Sequence, residues 1–257
     1  MKKIVLIFEF FLWWFGLYND WEIWYDVIVD DFSFSKEDDI VSAQFLDKKI
    51  DMMGKYDLSH IDLAHKSIVF GAGPSIKKHI SYLKRKVNFK DYILIAADGA
   101  TTALLEEDII PDMIVTDLDG KIESIIDSNK KGSILYVHAH GDNMEKIEEY
   151  LDKLDKIIPT CQCKPFGNLE NYGGFTDGDR AVHIATYSLN SEQIILAGMD
   201  FGNIITNYSR PEIGVKLQKA DSFKEKKLCY AEKLINSLKK ENVQIEYINL
   251  NSSIWIP

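Results

Sequence analysis

Cysteine is scarce in this chain: Cys161, Cys163 and Cys229 are the only three in 257 residues. An odd count without framework spacing excludes a disulfide scaffold and points to reduced thiols, hence a cytoplasmic location. Cys161-Gln162-Cys163 lacks the Cys-x-x-Cys spacing, so burial at a strand end is preferred over a metal or redox role. Also missing is any basic stripe. The formal net charge is −10, which argues against a nucleic-acid partner. The lysines between residues 216 and 227 alternate with Asp221 and Glu225 and are expected on solvated helix faces. No Gly-Lys-Ser/Thr follows Gly71-Ala72-Gly73-Pro74-Ser75, so there is no Walker A loop, nor is there a full Gly-x-Gly-x-x-Gly. No internal repeat and no low-complexity linker interrupts the chain. Residues 4–18 are apolar apart from Glu9 and Gly16, but a spanning helix needs about 20 residues. No small-residue cleavage site follows. A membrane-associating helix, an extra buried element and a misplaced start site are the alternatives for this run. A non-functional extension or local packing is the reading adopted, rather than membrane contact.

What is present is an ordinary globular balance, 46% hydrophobic and 27% charged, with ample material for a core. Residues 1–19 form the apolar extension. Residues 20–60 form a helical N-terminal region, with one helix over 21–32 and a second from the capping-box-like Ser35-Lys36-Glu37-Asp38 to about residue 53. Simple packing against the main domain is its expected role. Residues 61–257 form the α/β domain. Short apolar runs at 67–70, 92–97, 113–115, 134–137, 157–160, 193–197 and 244–250 predict strands. Helical patterns follow most of them, including 143–155, 177–189 and 223–240. Repeated β then α predicts a mainly parallel, doubly wound (Rossmann-like) sheet with helices on both faces.

Short carboxylates recur where these strands stop, the edge at which open α/β sheets bind ligands. Asp98-Gly99-Ala100 follows the second strand, and Asp98 could equally cap the next helix. Pro111-Asp112 opens the third strand and Asp117-Leu118-Asp119-Gly120 closes it. Two residues apart in extended chain, Asp117 and Asp119 would share one side, and such a pair repels unless a cation or proton intervenes; an Asx turn at Asp119-Gly120 is the structural alternative. His138-Ala139-His140-Gly141-Asp142-Asn143 adds two imidazoles, without further zinc-like spacing, and Asp142 or Asn143 could cap a helix. Thr176-Asp177-Gly178-Asp179-Arg180 opens another helix, with Asp179 a candidate cap and Arg180 a planar fork suited to phosphate. Together these point to Mg²⁺ and a polyphosphate.

In this order the five motifs resemble the archaeal 6-hydroxymethyl-7,8-dihydropterin pyrophosphokinase family, from about residue 21 to the C-terminus. The resemblance implies a fold related to the catalytic domain of thiamin pyrophosphokinases. It implies ATP and a reduced pterin as substrates, AMP and the pterin diphosphate as products, and a place in tetrahydromethanopterin synthesis. On that basis Asp98, Asp117, Asp119 and Asp142 are expected to hold Mg²⁺. Asp142 or His140 would take the hydroxyl proton, His140 because its ordinary pKa lies near working pH. Arg180 would stabilise transferred charge, while Asp177 or Asp179 orients the acceptor. Gly71, Gly73, Ser75 and Gly99 would meet the nucleotide or pterin, and Asp200, Phe201 and Asn203 are candidates for the pterin. A homodimer is compatible with this reading. The rivals are thiamine as acceptor, a nucleotide-sugar-dependent transferase, and a non-catalytic nucleotide-binding module.

Overall fold

A computed structural model describes residues 21–59, 65–238 and 243–248. The apolar run at 4–18 lies outside them. Among the described residues no helix is long and apolar enough to cross a membrane.

A helix over residues 21–32 (α1) leads through a tight turn to Lys36–Met53 (α2), whose first turn is capped by Ser35 accepting from the Asp38 N–H at 3.1 Å. The sheet then begins: Lys66–Phe70 (β1), Ile76–Lys86 (α3), Ile93–Ala97 (β2), Ala100–Leu105 (α4), Met113–Thr116 (β3) and Ile122–Lys130 (α5). Ile134–Ala139 (β4), Met144–Tyr150 (α6), Ile157–Cys161 (β5), Asp177–Tyr187 (α7) and Gln193–Ala197 (β6) follow. A small antiparallel hairpin of Ile204–Thr206 (β7) and Leu217–Lys219 (β8) precedes Ser222–Asn236 (α8) and Gln244–Tyr247 (β9).

Seven strands form one parallel sheet in the order β5-β4-β3-β2-β1-β6-β9. The expected fold class is therefore the observed one. Both faces are covered, which is why strands such as Ile93-Leu94-Ile95-Ala96-Ala97 are apolar throughout. Alternation still sorts the side chains. Ile68 and Phe70 of β1 join α2, α3, α4, α5 and α6 in one core layer, whereas Val69 faces Ala181, Val182 and Ala185 of α7 in the other. Each fully buried aliphatic residue here contributes about 1.5–3 kcal/mol. A third cluster joins Trp21, Tyr25 and Ile28 of α1 to Phe175 and to Tyr230 and Leu234 of α8.

Two differences from the sequence expectation concern extent. The helix expected to reach residue 155 stops at Tyr150 and finishes as a 3₁₀ turn, Leu151–Lys153. The long helix expected over 223–240 ends at Asn236. Neither α5 nor the β7–β8 hairpin was foreseen. Helix α5 has nine residues, with Ile122, Ile125 and Ile126 as its only apolar positions, and β8 is exposed throughout, so the sequence signal of each is short.

The chain runs outward from β1 to β5 and then returns to place β6 on the other side of β1. That reversal opens a crevice between the β1 and β6 loops, the usual ligand position in such sheets.

Candidate active site

The crevice is the floor of a cavity of about 690 Å³ that extends over the carboxyl ends of β2, β3 and β4. Its walls include Phe34 from the α1–α2 turn, Phe175 and Arg180 around the start of α7, Phe201, and Phe223, Lys224 and Lys227 of α8.

Four carboxylates converge within it. One oxygen each from Asp98, Asp117, Asp119 and Asp177 lies within 4.8 Å of the others. Asp98 follows β2 in a positive-φ conformation (35°), which short polar side chains tolerate better than most. It does not cap α4; its Oδ1 accepts from the Thr116 hydroxyl at 2.6 Å. Gly120 leaves room for it, since a Cβ there would meet the Asp98 carboxylate. Asp117 and Asp119 converge through a turn rather than through extended strand. Strand β3 ends at Thr116, whose hydroxyl accepts from the Leu118 N–H at 2.9 Å, and Leu118 adopts φ 66°. The Asx contact belongs to Asp117, whose Oδ1 accepts from the Asp119 N–H at 3.2 Å. The fourth corner is Asp177 in the first turn of α7.

Asp142, expected among these ligands, stands outside the cluster. Its side chain is 91% exposed and its Oδ1 pairs with His140 Nδ1 at 2.7 Å. His140 in turn places Nε2 3.1 Å from Asp117 Oδ2. Burial alone would lower the His140 pKa, but the two carboxylates outweigh it and raise it to about 9. Both ring nitrogens are engaged by carboxylates, which leaves neither free for the base role expected of His140. Burial likewise works against ionised Asp117, yet the His140 hydrogen bond and charge hold its carboxyl below the usual range. Burial followed by neighbouring negative charge pushes the other three up: Asp98 by Asp119 and Asp117, Asp177 by Asp117, and Asp119, beside Asp117, to about 7.

Arg180 is buried. Its Nη2 donates to Gln162 Oε1 at 3.1 Å, its Nη1 sits 3.3 Å from Asp177 Oδ1, and its Nε is buried without a partner. Asp179, expected to orient a substrate, is wholly buried and structural: it accepts from the N–H groups of Phe175 at 2.6 Å and Thr176 at 2.8 Å, closing the α7 capping box. Asp112 is at the far end of β3, where it accepts from the Leu94 N–H at 2.8 Å.

The glycine loop also differs from expectation. The Gly71 N–H donates to Ala197 at 2.8 Å and that of Gly73 to Gly198 at 2.9 Å, so neither is available to a phosphate. These glycines let the β1 and β6 loops touch: a Cβ on Gly71 would meet Met199 and one on Gly73 would meet Asp200. Gly99 serves the same purpose against the Tyr208 carbonyl. Ser75 gives both its N–H (2.8 Å) and its hydroxyl (2.7 Å) to Asp200 Oδ2. Asp200 and Phe201 line the cavity, whereas Asn203 is exposed and off it.

Sequence reasoning missed several supports. Asn143 is a clamp rather than a cap: its Nδ2 donates to the carbonyls of His138 (2.7 Å) and Asp117 (3.0 Å), and its Oδ1 accepts from the His140 N–H at 3.0 Å. Asp39 accepts from the Gly141 N–H at 2.8 Å and from the Tyr25 hydroxyl at 2.6 Å. The N-terminal helices thus hold the β4 loop and line the cavity, beyond simple packing. Lys224 and Lys227 face the cavity instead of a solvated surface.

Fold and site together define an α/β enzyme whose reactive groups gather at the carboxyl edge of a doubly wound sheet around an all-oxygen cluster. Comparison with known proteins narrows the class. Residues 45–206 match the model of the family described as 6-hydroxymethylpterin diphosphokinase MptE-like. The chain is 49% identical over 229 residues to a 6-hydroxymethyl-7,8-dihydropterin pyrophosphokinase of Methanothermobacter thermautotrophicus, covering 88% of this chain and 97% of that one. It is 46% identical over 240 residues to the enzyme of the same name from Methanocaldococcus jannaschii, covering 90% and 98%. The chain belongs to the 6-hydroxymethylpterin diphosphokinase MptE-like family. Among solved structures, the MAf glycosyltransferase from Magnetospirillum magneticum AMB-1 shares the fold at a TM-score of 0.50 and 16% identity, over 78% of this chain and 34% of that one.

Proposed function

We propose that this enzyme transfers the terminal diphosphate of ATP to the hydroxymethyl group of 6-hydroxymethyl-7,8-dihydropterin in a Mg²⁺-dependent reaction, as a step of tetrahydromethanopterin synthesis. The observation that carries this reading is the convergence of four carboxylates beside buried Arg180, in a cavity of about 690 Å³, within a family whose relatives bear that activity's name.

The donor set fits the metal. Oxygen-only carboxylate ligands suit a hard divalent cation. Three of the four carboxylates are driven toward their protonated forms by burial and mutual repulsion, which a bound cation relieves. Asp98, Asp117, Asp119 and Asp177 would hold Mg²⁺, which when bound neutralises charge on the phosphate oxygens. The acceptor hydroxyl oxygen attacks the β-phosphorus, the bond to the α-phosphate oxygen breaks, and AMP leaves. Such transfers depend mainly on positioning and charge stabilisation. Arg180, oriented by Gln162 and Asp177, offers its fork to the transferred group. Asp142, ionised beside the His140 cation, takes the hydroxyl proton; a weak base suffices because little proton transfer is needed before the loose transition state. In the crevice, Ser75 occupies Asp200 Oδ2, leaving Oδ1 for the amino edge of the pterin beside Phe201.

This assignment separates two carboxylates that look alike in sequence. Asp177→Asn is expected to weaken Mg²⁺ binding at least about tenfold. Asp142→Asn should leave Mg²⁺ affinity intact and lower kcat about a hundredfold, within the usual range for a general base. Calorimetric Mg²⁺ titrations alongside steady-state rates distinguish them, and the reverse pattern would return Asp142 to the metal. The activity itself is tested by incubating the protein with Mg·ATP and the dihydropterin and identifying products by mass. AMP with pterin diphosphate is expected; ADP, or no acceptor-dependent AMP, would overturn the reading.

A further inference from the structure

We propose that Lys227 of α8 grips the diphosphate group during transfer, acting beside Arg180. The inference rests on the diphosphotransferase reading and adds to it a residue outside the 45–206 segment that the family model matches.

Helix α8 starts at Asp221, whose carboxylate caps the Lys224 N–H at 2.7 Å. Lys224 and Lys227 are three apart and so share a face. That face lines the cavity together with Leu228 and Ala231. The lysine between them on the chain shows what an ordinary surface position looks like here: Lys226 turns away and reaches Asp31, with Nζ 2.8 Å from the carboxylate and 2.7 Å from the carbonyl. Lys227 is half-buried, and among the described residues its ammonium has neither a hydrogen bond nor an ion pair. Its Nζ lies 5.1 Å from the centroid of the Phe175 ring, which holds the stem against an apolar wall.

The electrostatic surroundings point the same way. Asp117 and Asp177 attract Lys227, while Lys224 and Arg180 repel it. Burial, followed by those two cations, lowers its pKa. A half-buried ammonium beside a second cation is unfavourable unless an anion separates and satisfies them. Arg180 lines the same cavity, so the place of that anion is shared by both cations. The carboxylate cluster does not fill it, since none comes within ion-pair distance of Lys227 among the described residues. Lined by a carboxylate cluster suited to a metal and by two cations, the cavity suits an anion of more than one charge. A diphosphate has that chemistry.

The experiment titrates Mg²⁺-loaded full-length protein with inorganic diphosphate and, separately, with AMP. Lys227→Gln is expected to weaken diphosphate binding about 10- to 100-fold, the usual value of a hydrogen bond to a charged group, and to leave AMP binding unchanged. Lys227→Arg should recover most of the loss. Lys226→Gln, which removes the same charge one residue away, should stay within about twofold of wild type. Lys227→Met retains the stem against Phe175 and substitutes should the glutamine variant fail to fold. Unchanged diphosphate affinity in the Lys227 variants, or equal loss for diphosphate and AMP, overturns the inference, as does turnover by a wild-type protein that binds no diphosphate. Lys227-dependent diphosphate binding without AMP formation from ATP and the pterin keeps this assignment and overturns the activity instead.

Discussion

Asp117→Asn is expected to lower kcat by about three orders of magnitude or more, comparable to removing a principal charge-stabilising group, with the fold preserved. Asparagine keeps the shape of the site. Its side-chain oxygen can still accept from the Asp119 N–H, and the Asn143 clamp acts on the Asp117 carbonyl, which the substitution does not touch. What disappears is charge. Of the four clustered carboxylates, Asp117 is the one held below the ordinary range, because His140 stabilises its ionised form. It would supply the standing negative charge for the proposed Mg²⁺. The measurements are steady-state rates, Mg²⁺ titration and thermal melting on the same preparation. A kcat within tenfold of wild type, with Mg²⁺ affinity unaltered, would remove Asp117 from the mechanism.

The second expected result concerns the metal-free protein, which should become less stable as pH rises from about 6.5 to 8, above the range in which His79, His138 and His183, whose pKa values burial lowers, give the opposite slope. Asp98, Asp119 and Asp177 bind protons more tightly folded than unfolded, since burial and neighbouring charge raise them. Stability then falls with pH between the unfolded value, about 3.9, and the folded one, which is about 7 for Asp119. His140 adds to the trend: raised to about 9, it stabilises fully below its unfolded pKa and loses that contribution as pH rises through 9. Asp117 has the opposite sign, but its contribution is lost only in acid, below about pH 4. Mg²⁺ should therefore raise Tm more at pH 8 than at pH 5. Asp98→Asn should flatten the metal-free slope and raise Tm at pH 8 while removing the response to Mg²⁺. Asparagine tolerates the positive φ at this position, so the backbone is not the cause. Scanning fluorimetry across pH, with and without Mg²⁺, checks this; a metal-free Tm that holds or climbs toward pH 8 would contradict it.

How far the sequence could be read depended on the length scale of each interaction. Strands β1 to β6 were legible because a sheet buried on both faces demands continuous apolar runs, and Gln193–Ala197 matched its expected limits. The strand-end carboxylates were legible because a residue's place along a strand fixes which edge it meets. Their partners were not. Asp142 follows the end of β4 directly in the next loop, whereas Asp177 is separated from the end of β5 by a long loop, and only the approach of α7 to the β3 turn puts Asp177 in the cluster and leaves Asp142 outside. Asp179 resembles a substrate ligand until its oxygens are traced to the N–H groups of Phe175 and Thr176. Gly71 and Gly73 signalled close approach, but not that the approaching group was the β6 loop. The lysines of α8 were hidden for a different reason: their interleaving with acids describes the helix, not the direction its faces take once Asp221 caps it.

Part of the cavity's aromatic wall, Phe34 from the α1–α2 turn and Phe223 from α8, comes from outside the stretch that supplies the four carboxylates. The aspartate quartet and these two wall residues therefore occupy separate stretches of the gene. Swapping those flanking stretches between related proteins would alter what the vestibule admits while keeping the aspartate quartet in place, a modular route by which one scaffold acquires new acceptors.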